Sequence, residues 1–273
     1  MSDSRVRTPV PFLKATRGVF RIAFSGMARA QRSLWLLVLL GLPVLIALVQ
    51  RLSAAGRVAA PDLYGQLVSG YYLGYIAPGV GMALPLAALF YAATLISEEV
   101  EGRTLVYFLS RPIPRSTVVV GKFAAYLAWA LATTATSMCL VFLIARAPGA
   151  SEPWHTAFAF ARDLGTAAVA LAAYGALFAF VGVWLRRPLL PGILFLYVWE
   201  FGARLAGAFS RLTLGTYVEP LLARKTMPTS LAWFASPVAI PTTQAVLVLG
   251  LVTLGALAAA SAIFARREYV PDQ

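Results

Sequence analysis

The chain has 273 residues, of which 60% are hydrophobic and only 12% charged. A water-soluble domain carries about 25% charged residues, so this chain cannot coat a soluble surface, and its apolar content excludes a disordered one. Cys139 is the only cysteine, which excludes a disulfide-stapled secreted fold. What remains is an all-α polytopic membrane protein. It forms one transmembrane unit over residues 1–273, with room for six spans of about 20 apolar residues each.

In chain order, segment 12–32 reads FLKATRGVFRIAFSGMARAQR. Lys14, Arg17, Arg21 and Arg32 fall near one helical face with Arg29 at its edge, and Phe20, Ala23, Phe24 and Met27 fall on another. This predicts an amphipathic basic elbow helix lying in the membrane interface. It serves either as a surface anchor alone or also as a contact for a cytoplasmic partner. The first span covers 33–50 between Arg32 and Arg51. It begins too far into the chain, and is too long, for the 7–15-residue core of a cleaved signal, so it reads as a retained span. The second covers 73–96, ended by Glu98 and Glu99.

Segment 97–117 follows, then the third span, 118–145, with Gly121 and Lys122 near its start. A bare connector between antiparallel helices needs about 2–8 residues. The longer 97–117 stretch, halted by Pro112 and Pro114, is therefore either a small docking structure or a charged hairpin that ends two spans. A connector, 146–163, holds the lone His155, which reads as a solvated loop residue because one histidine cannot build a metal site. The fourth span covers 164–185 and the fifth 188–206, the latter opened by Pro188. Segment 207–243 carries Pro220, Pro228, Pro237 and Pro241. It is too apolar for a tail and too broken for a span. It reads as an extracytoplasmic re-entrant element or an interfacial loop with aromatic anchors. The sixth span covers 244–265, ended by Arg266 and Arg267.

Lys and Arg set the orientation. With the N-terminus inside, the inner segments hold 15 of the 23 basic residues, and both termini lie in the cytoplasm. The net charge of +12 then reads as positive-inside bias and attraction to membrane lipid. Nucleic acid is not expected as a partner, since no soluble face interleaves basic and aromatic residues. Within the fifth span Glu200 and Arg204 stand four apart, the spacing and order of a helical ion pair; near a span end, a structural pair is favoured over a substrate route. Few ionisable groups lie at mid-depth, which argues against proton-driven transport. Thr133, Thr134, Thr136 and Ser137 on the third span, and Ala168, Ala172 and Ala176 on the fourth, read as packing features.

Phosphate-loop, H-E-x-x-H and G-x-S-x-G patterns are all missing, so no catalytic, cofactor-binding or metal-binding residue is expected and the chain is not expected to hydrolyse ATP itself. Segment 98–122 carries an acidic exit from the second span at Glu98, Glu99 and Glu101, then Gly102-Arg103-Thr104-Leu105. Arg111-Pro112-Ile113-Pro114-Arg115 follows, and then Gly121-Lys122 leads into the third span. This order resembles the signature of the ABC-2 type transporter permeases, and size and general pattern are most like the NosY-related members. Arg103 departs from the small or polar residue often found at its place. The resemblance implies a type V exporter-like bundle of six spans with an elbow helix, in a bacterial inner membrane. It further implies a dimer with a second copy or a related permease, bound to a separate ABC ATPase that holds ATP and Mg. Glu98, Glu99, Glu101, Gly102, Arg103, Thr104, Leu105, Arg111, Pro112, Arg115, Gly121 and Lys122 would then form the ATPase-coupling segment. The leading function is export or flipping of a substrate. The alternative is a mechanical or anchoring subunit that passes work to an extracytoplasmic partner with no small molecule crossing. An intramembrane enzyme is disfavoured for lack of catalytic groups.

Overall fold

The computed structural model describes residues 12–29, 31–54, 83–93, 95, 115–145, 153–185, 187–205, 209–222 and 240–266. Every regular element among them is helical: α1 (Phe12–Arg29), α2 (Gln31–Ala54), α3 (Ala83–Ala92), α4 (Arg115–Ala145), α5 (Pro153–Trp184), α6 (Leu189–Leu194), α7 (Leu214–Val218) and α8 (Thr242–Arg266). A π-helix, Phe195–Phe201, and an α-helical turn, Gly202–Leu205, continue α6. Two 3-10 turns, Ser210–Leu212 and Glu219–Leu221, flank α7.

Prolines sit where a missing N–H does least harm. Pro153 opens α5, and Pro191 falls in the first turn of α6, whose N–H groups have no intrahelical acceptor. Pro43 is the exception, inside α2. One turn before it, the carbonyl of Leu40 accepts a hydrogen bond from the Ser137 hydroxyl of α4. A proline break in the ladder is thus accompanied by a tie to the neighbouring helix.

Among the described residues, three helices are long and apolar enough to cross a membrane: Ser116–Ile144, Ala157–Trp184 and Thr242–Arg266. Leu37–Val49 and Leu189–Glu200 are shorter apolar stretches, and α3 is the described part of the expected second span. The chain is a multi-pass membrane protein. One start and one helix type differ most from expectation. α5 begins at Pro153, eleven residues before the expected start, because the stretch after Pro153 continues the helix instead of forming a connector. The fifth span changes from α to π geometry midway.

The centre of the bundle is α3, where Leu84, Ala87, Ala88, Leu89, Tyr91 and Ala92 are all 2% exposed or less. Between lipid-embedded helices, close packing and hydrogen bonds replace the hydrophobic drive, and glycines permit that closeness. A Cβ on Gly182 of α5 would collide with the carbonyl of Ala93. A Cβ on Gly175 would collide with the ring of Tyr126 on α4. In that gap the Tyr126 hydroxyl donates to the Leu171 carbonyl at 2.9 Å, the carbonyl one turn upstream of the glycine. At the other extreme, α8 buries only Ala245, Leu249, Ala260 and Phe264. Its remaining apolar surface is turned away from the other described helices.

Candidate functional site

Two polar constellations stand out among the described residues. The first gathers around Gly121 and Lys122, six and seven residues after Arg115, with which α4 begins. Gly121 is where α1 presses on α4: a Cβ there would stand 3.0 Å from Val19 and 3.1 Å from the Thr16 carbonyl oxygen. Farther along α4, Phe24 of α1 packs edge-on against Trp129 with centroids 5.5 Å apart. Trp129 Nε1 in turn donates to the Tyr91 hydroxyl of α3 at 3.2 Å. α1, α4 and α3 are therefore joined in series by side chains.

This arrangement revises the expected elbow. Its apolar face, expected to lie against lipid, is turned onto protein. Ala15, Val19 and Met27 are buried and Phe20, Ala23 and Phe24 half-buried, while Lys14, Arg17 and Arg21 are exposed. The reason is that α4 offers an aromatic ring and a glycine notch to receive that face, and packing into a notch gains contacts that fluid lipid does not supply.

Lys122 is 4% exposed, and its Nζ donates to the Leu95 carbonyl at 2.5 Å. A backbone carbonyl is an acceptor that a buried ammonium can use in place of water. The ammonium thus finds a partner where its burial would otherwise be costly. The bond joins residues 27 apart, and everything between them is the 97–117 segment with its flanks. Leu95 and Lys122, which precede and follow it, are joined by a charge-assisted hydrogen bond. Thr117, also buried, has no hydrogen-bond partner for its hydroxyl among the described residues.

Of the expected coupling residues, Arg115 is the first residue of α4, and Gly121 and Lys122 are placed as above. Glu98, Glu99, Glu101, Gly102, Arg103, Thr104, Leu105, Arg111 and Pro112 lie outside the described residues. The basic residues of α1 stand on the same helix as the Gly121 contact but point away from it.

The second constellation surrounds Glu200, 1% exposed on the π-helix. Its carboxylate accepts the backbone N–H of Leu214 at 2.8 Å and of Gly215 at 3.3 Å, two first-turn donors of α7 that no helical carbonyl can serve. Arg204, the expected partner, has its backbone in the Gly202–Leu205 turn, and its side chain lies outside the described residues. Around this bond, Thr213 and Thr216 share a hydrogen bond at 2.8 Å. Arg162 Nε and the Thr166 hydroxyl both donate to the Leu221 carbonyl at 3.0 Å. The described part of the 207–243 segment is thus tied at Leu214 to the fifth span and at Leu221 to the fourth. Sequence reasoning missed Arg162 and Thr166, and no spacing signal could have found them, since their acceptor is a backbone carbonyl more than fifty residues away.

Among the described residues no three His, Cys, Asp or Glu side chains come together to hold a metal. The contacts among the described residues are structural and electrostatic: carbonyls, amides and hydroxyls tie helices, and Lys122 and Glu200 bond backbone groups. No curated protein is found to match the chain. The family model described as ABC-2 family transporter protein matches residues 21–269. That span runs from within α1 to beyond α8 and includes Gly121, Lys122 and Glu200, and the chain accordingly belongs to the ABC-2 transporter family.

Proposed function

We propose that the chain is the permease subunit of an ABC transporter that exports or flips its substrate with ATP hydrolysed by a separate ATPase. Family membership carries the permease assignment. The observation that supports coupling through this chain is the bond from Lys122 to the Leu95 carbonyl. It joins Leu95, which follows α3, to Lys122 of α4 on either side of the 97–117 segment, so that a push from an ATPase docked on that segment would reach both sides together. In this reading Glu98, Glu99, Glu101, Arg103, Arg111 and Arg115 set the docking orientation. The ATPase holds ATP and Mg, and a second copy of the chain completes the pathway. The assembly sits in a bacterial inner membrane with both termini in the cytoplasm.

The test is to isolate the tagged chain from native membranes in mild detergent and weigh the intact assembly by native mass spectrometry. A P-loop ATPase in a two-to-two complex is the expected result. Absence of any ATPase, under conditions that preserve a known ABC complex, would overturn the proposal.

A further inference from the structure

We infer that the fifth span has two registers, and that a one-residue slip between them takes Glu200 on and off the N-terminus of α7. The first observation is a mismatch between sequence period and burial. On an α-helix each residue turns about 100°. Gly192 and Leu196, both buried, then stand about 40° apart, and the middle of the buried face lies between them. Carried on at that pitch, Trp199 would come to about 40° from the middle and Glu200 to about 60°. Trp199 would thus be the better covered of the two. The structure shows the reverse: Glu200 is 1% exposed and Trp199 is 41% exposed. The π-helix Phe195–Phe201 makes the difference. Its i to i+5 bonding holds more residues per turn than α geometry does, and this brings Glu200 back to the buried face. Closing the turn to α geometry slips the sequence by one residue, so that Trp199 arrives where Glu200 stands.

The second observation is what holds the π register and what lies ready for the α register. Turns of π geometry are rare and concentrate at functional sites. Here the turn aims the Glu200 carboxylate at the backbone N–H groups of Leu214 and Gly215, and these charge-assisted bonds hold it open. Trp199 Nε1 already donates to the Leu212 carbonyl, two residues before Leu214, at 3.4 Å, so its ring lies beside the place it would take. Tyr197, Val198 and Trp199 are exposed, and a Cβ on Gly202 would meet nothing within 4 Å. The outer flank of the turn is therefore open among the described residues. Arg204 follows Glu200 by four residues, the spacing that a continuous α-helix pairs. A carboxylate leaving α7 thus has a partner on its own helix.

α7 does not have to follow the slip. Beyond its far end, the Leu221 carbonyl accepts from Arg162 and Thr166 of α5, and Leu214, Thr216 and Val218 are buried. The slip frees the first turn of α7 while the other end stays on the fourth span. Discrete alternative registers of this kind are how packed helices change state without deforming continuously. The two registers belong to the chain alone; their use as a step in transport rests on the permease proposal.

The test moves the carboxylate by one residue in the full chain, in detergent micelles and without any ATPase, so its failure leaves the permease proposal standing. Trp199→Glu combined with Glu200→Trp places the acid where the α register faces α7. Amide hydrogen exchange at Leu214 and Gly215 is expected to stay near that of the unaltered chain, whereas Glu200→Ala alone speeds it by about tenfold or more. A fifth span with one fixed register has no use for the moved carboxylate, so exchange as fast as in Glu200→Ala overturns the inference. A second measurement decides the matter if the double variant does not fold. In a Cys139→Ser background, alkylation by a membrane-permeant maleimide is compared between Trp199→Cys and Tyr197→Cys. Adding Glu200→Leu releases α7, and the 199-to-197 rate ratio is then expected to fall several-fold, because position 199 turns inward and 197 stays outside. An unchanged ratio overturns the inference.

Discussion

Single side chains in this bundle act mainly by reaching another helix's backbone. Tyr126 donates to the Leu171 carbonyl through the gap left by Gly175. Tyr126→Phe removes one interhelical bond and is expected to lower stability by about 0.6 kcal/mol, the usual size of such bonds in membranes, read by unfolding in mixed micelles. Gly175→Val should cost several times more, because its side chain needs the space the Tyr126 ring occupies. Glu200 carries a heavier role. Its carboxylate serves two amides of α7, and charge-assisted bonds of this kind contribute about 1.5–3 kcal/mol. Glu200→Ala is expected to speed amide hydrogen exchange at Leu214 and Gly215 by about tenfold or more, with α5 unaffected. Unchanged exchange would show that other contacts hold α7. The hydroxyls of the third span divide at this scale too. Thr133 and Thr136 bond their own helix, and Ser137 crosses to α2.

At the scale of elements, the decisive pairing is α1 with α4. The amphipathic period of α1 was legible in its sequence, and so was its start at Phe12. What it faces was not. Period reveals that one side is apolar but not whether lipid or protein meets it, and the answer depended on Gly121 and Trp129, more than ninety residues on. Glu200 has a second set of partners that spacing could not show: besides Arg204, whose side chain lies outside the described residues, its carboxylate meets amides of an element fourteen residues away. Short-range rules find partners along a helix and miss those beyond a turn. The Lys122 tie permits a prediction about the coupling element. Lys122→Met removes the donor to Leu95 and keeps the side chain's bulk. Limited proteolysis within 97–114 should quicken several-fold while α4 stays intact. Reversing Glu98 and Glu99 to Lys tests the docking face instead. ATP hydrolysis by the complex is expected to continue while transport falls to background, and normal transport by that variant would remove those residues from docking.

For the molecule as a whole, helical class and membrane residence could be read from composition, because an apolar content of 60% admits few other solutions. The signature around Gly121 and Lys122 could be read as a family mark. What the pair does physically was hidden, since one residue works by lacking a side chain and the other by touching a carbonyl. Connections also resisted reading: α5 starts well before its most apolar stretch, since a helix with half-polar ends looks like a loop to a hydropathy argument. The bond across Leu95 and Lys122 has one more consequence. A loop whose ends are pinned can change length at small entropic cost, about 0.6 kcal/mol per doubling, without disturbing the helices that carry it. In the proposed coupling role, the stretch between them is an exchangeable cassette: transplanted between relatives with Leu95 and Lys122 kept, it is expected to carry the choice of motor with it and leave the choice of cargo behind.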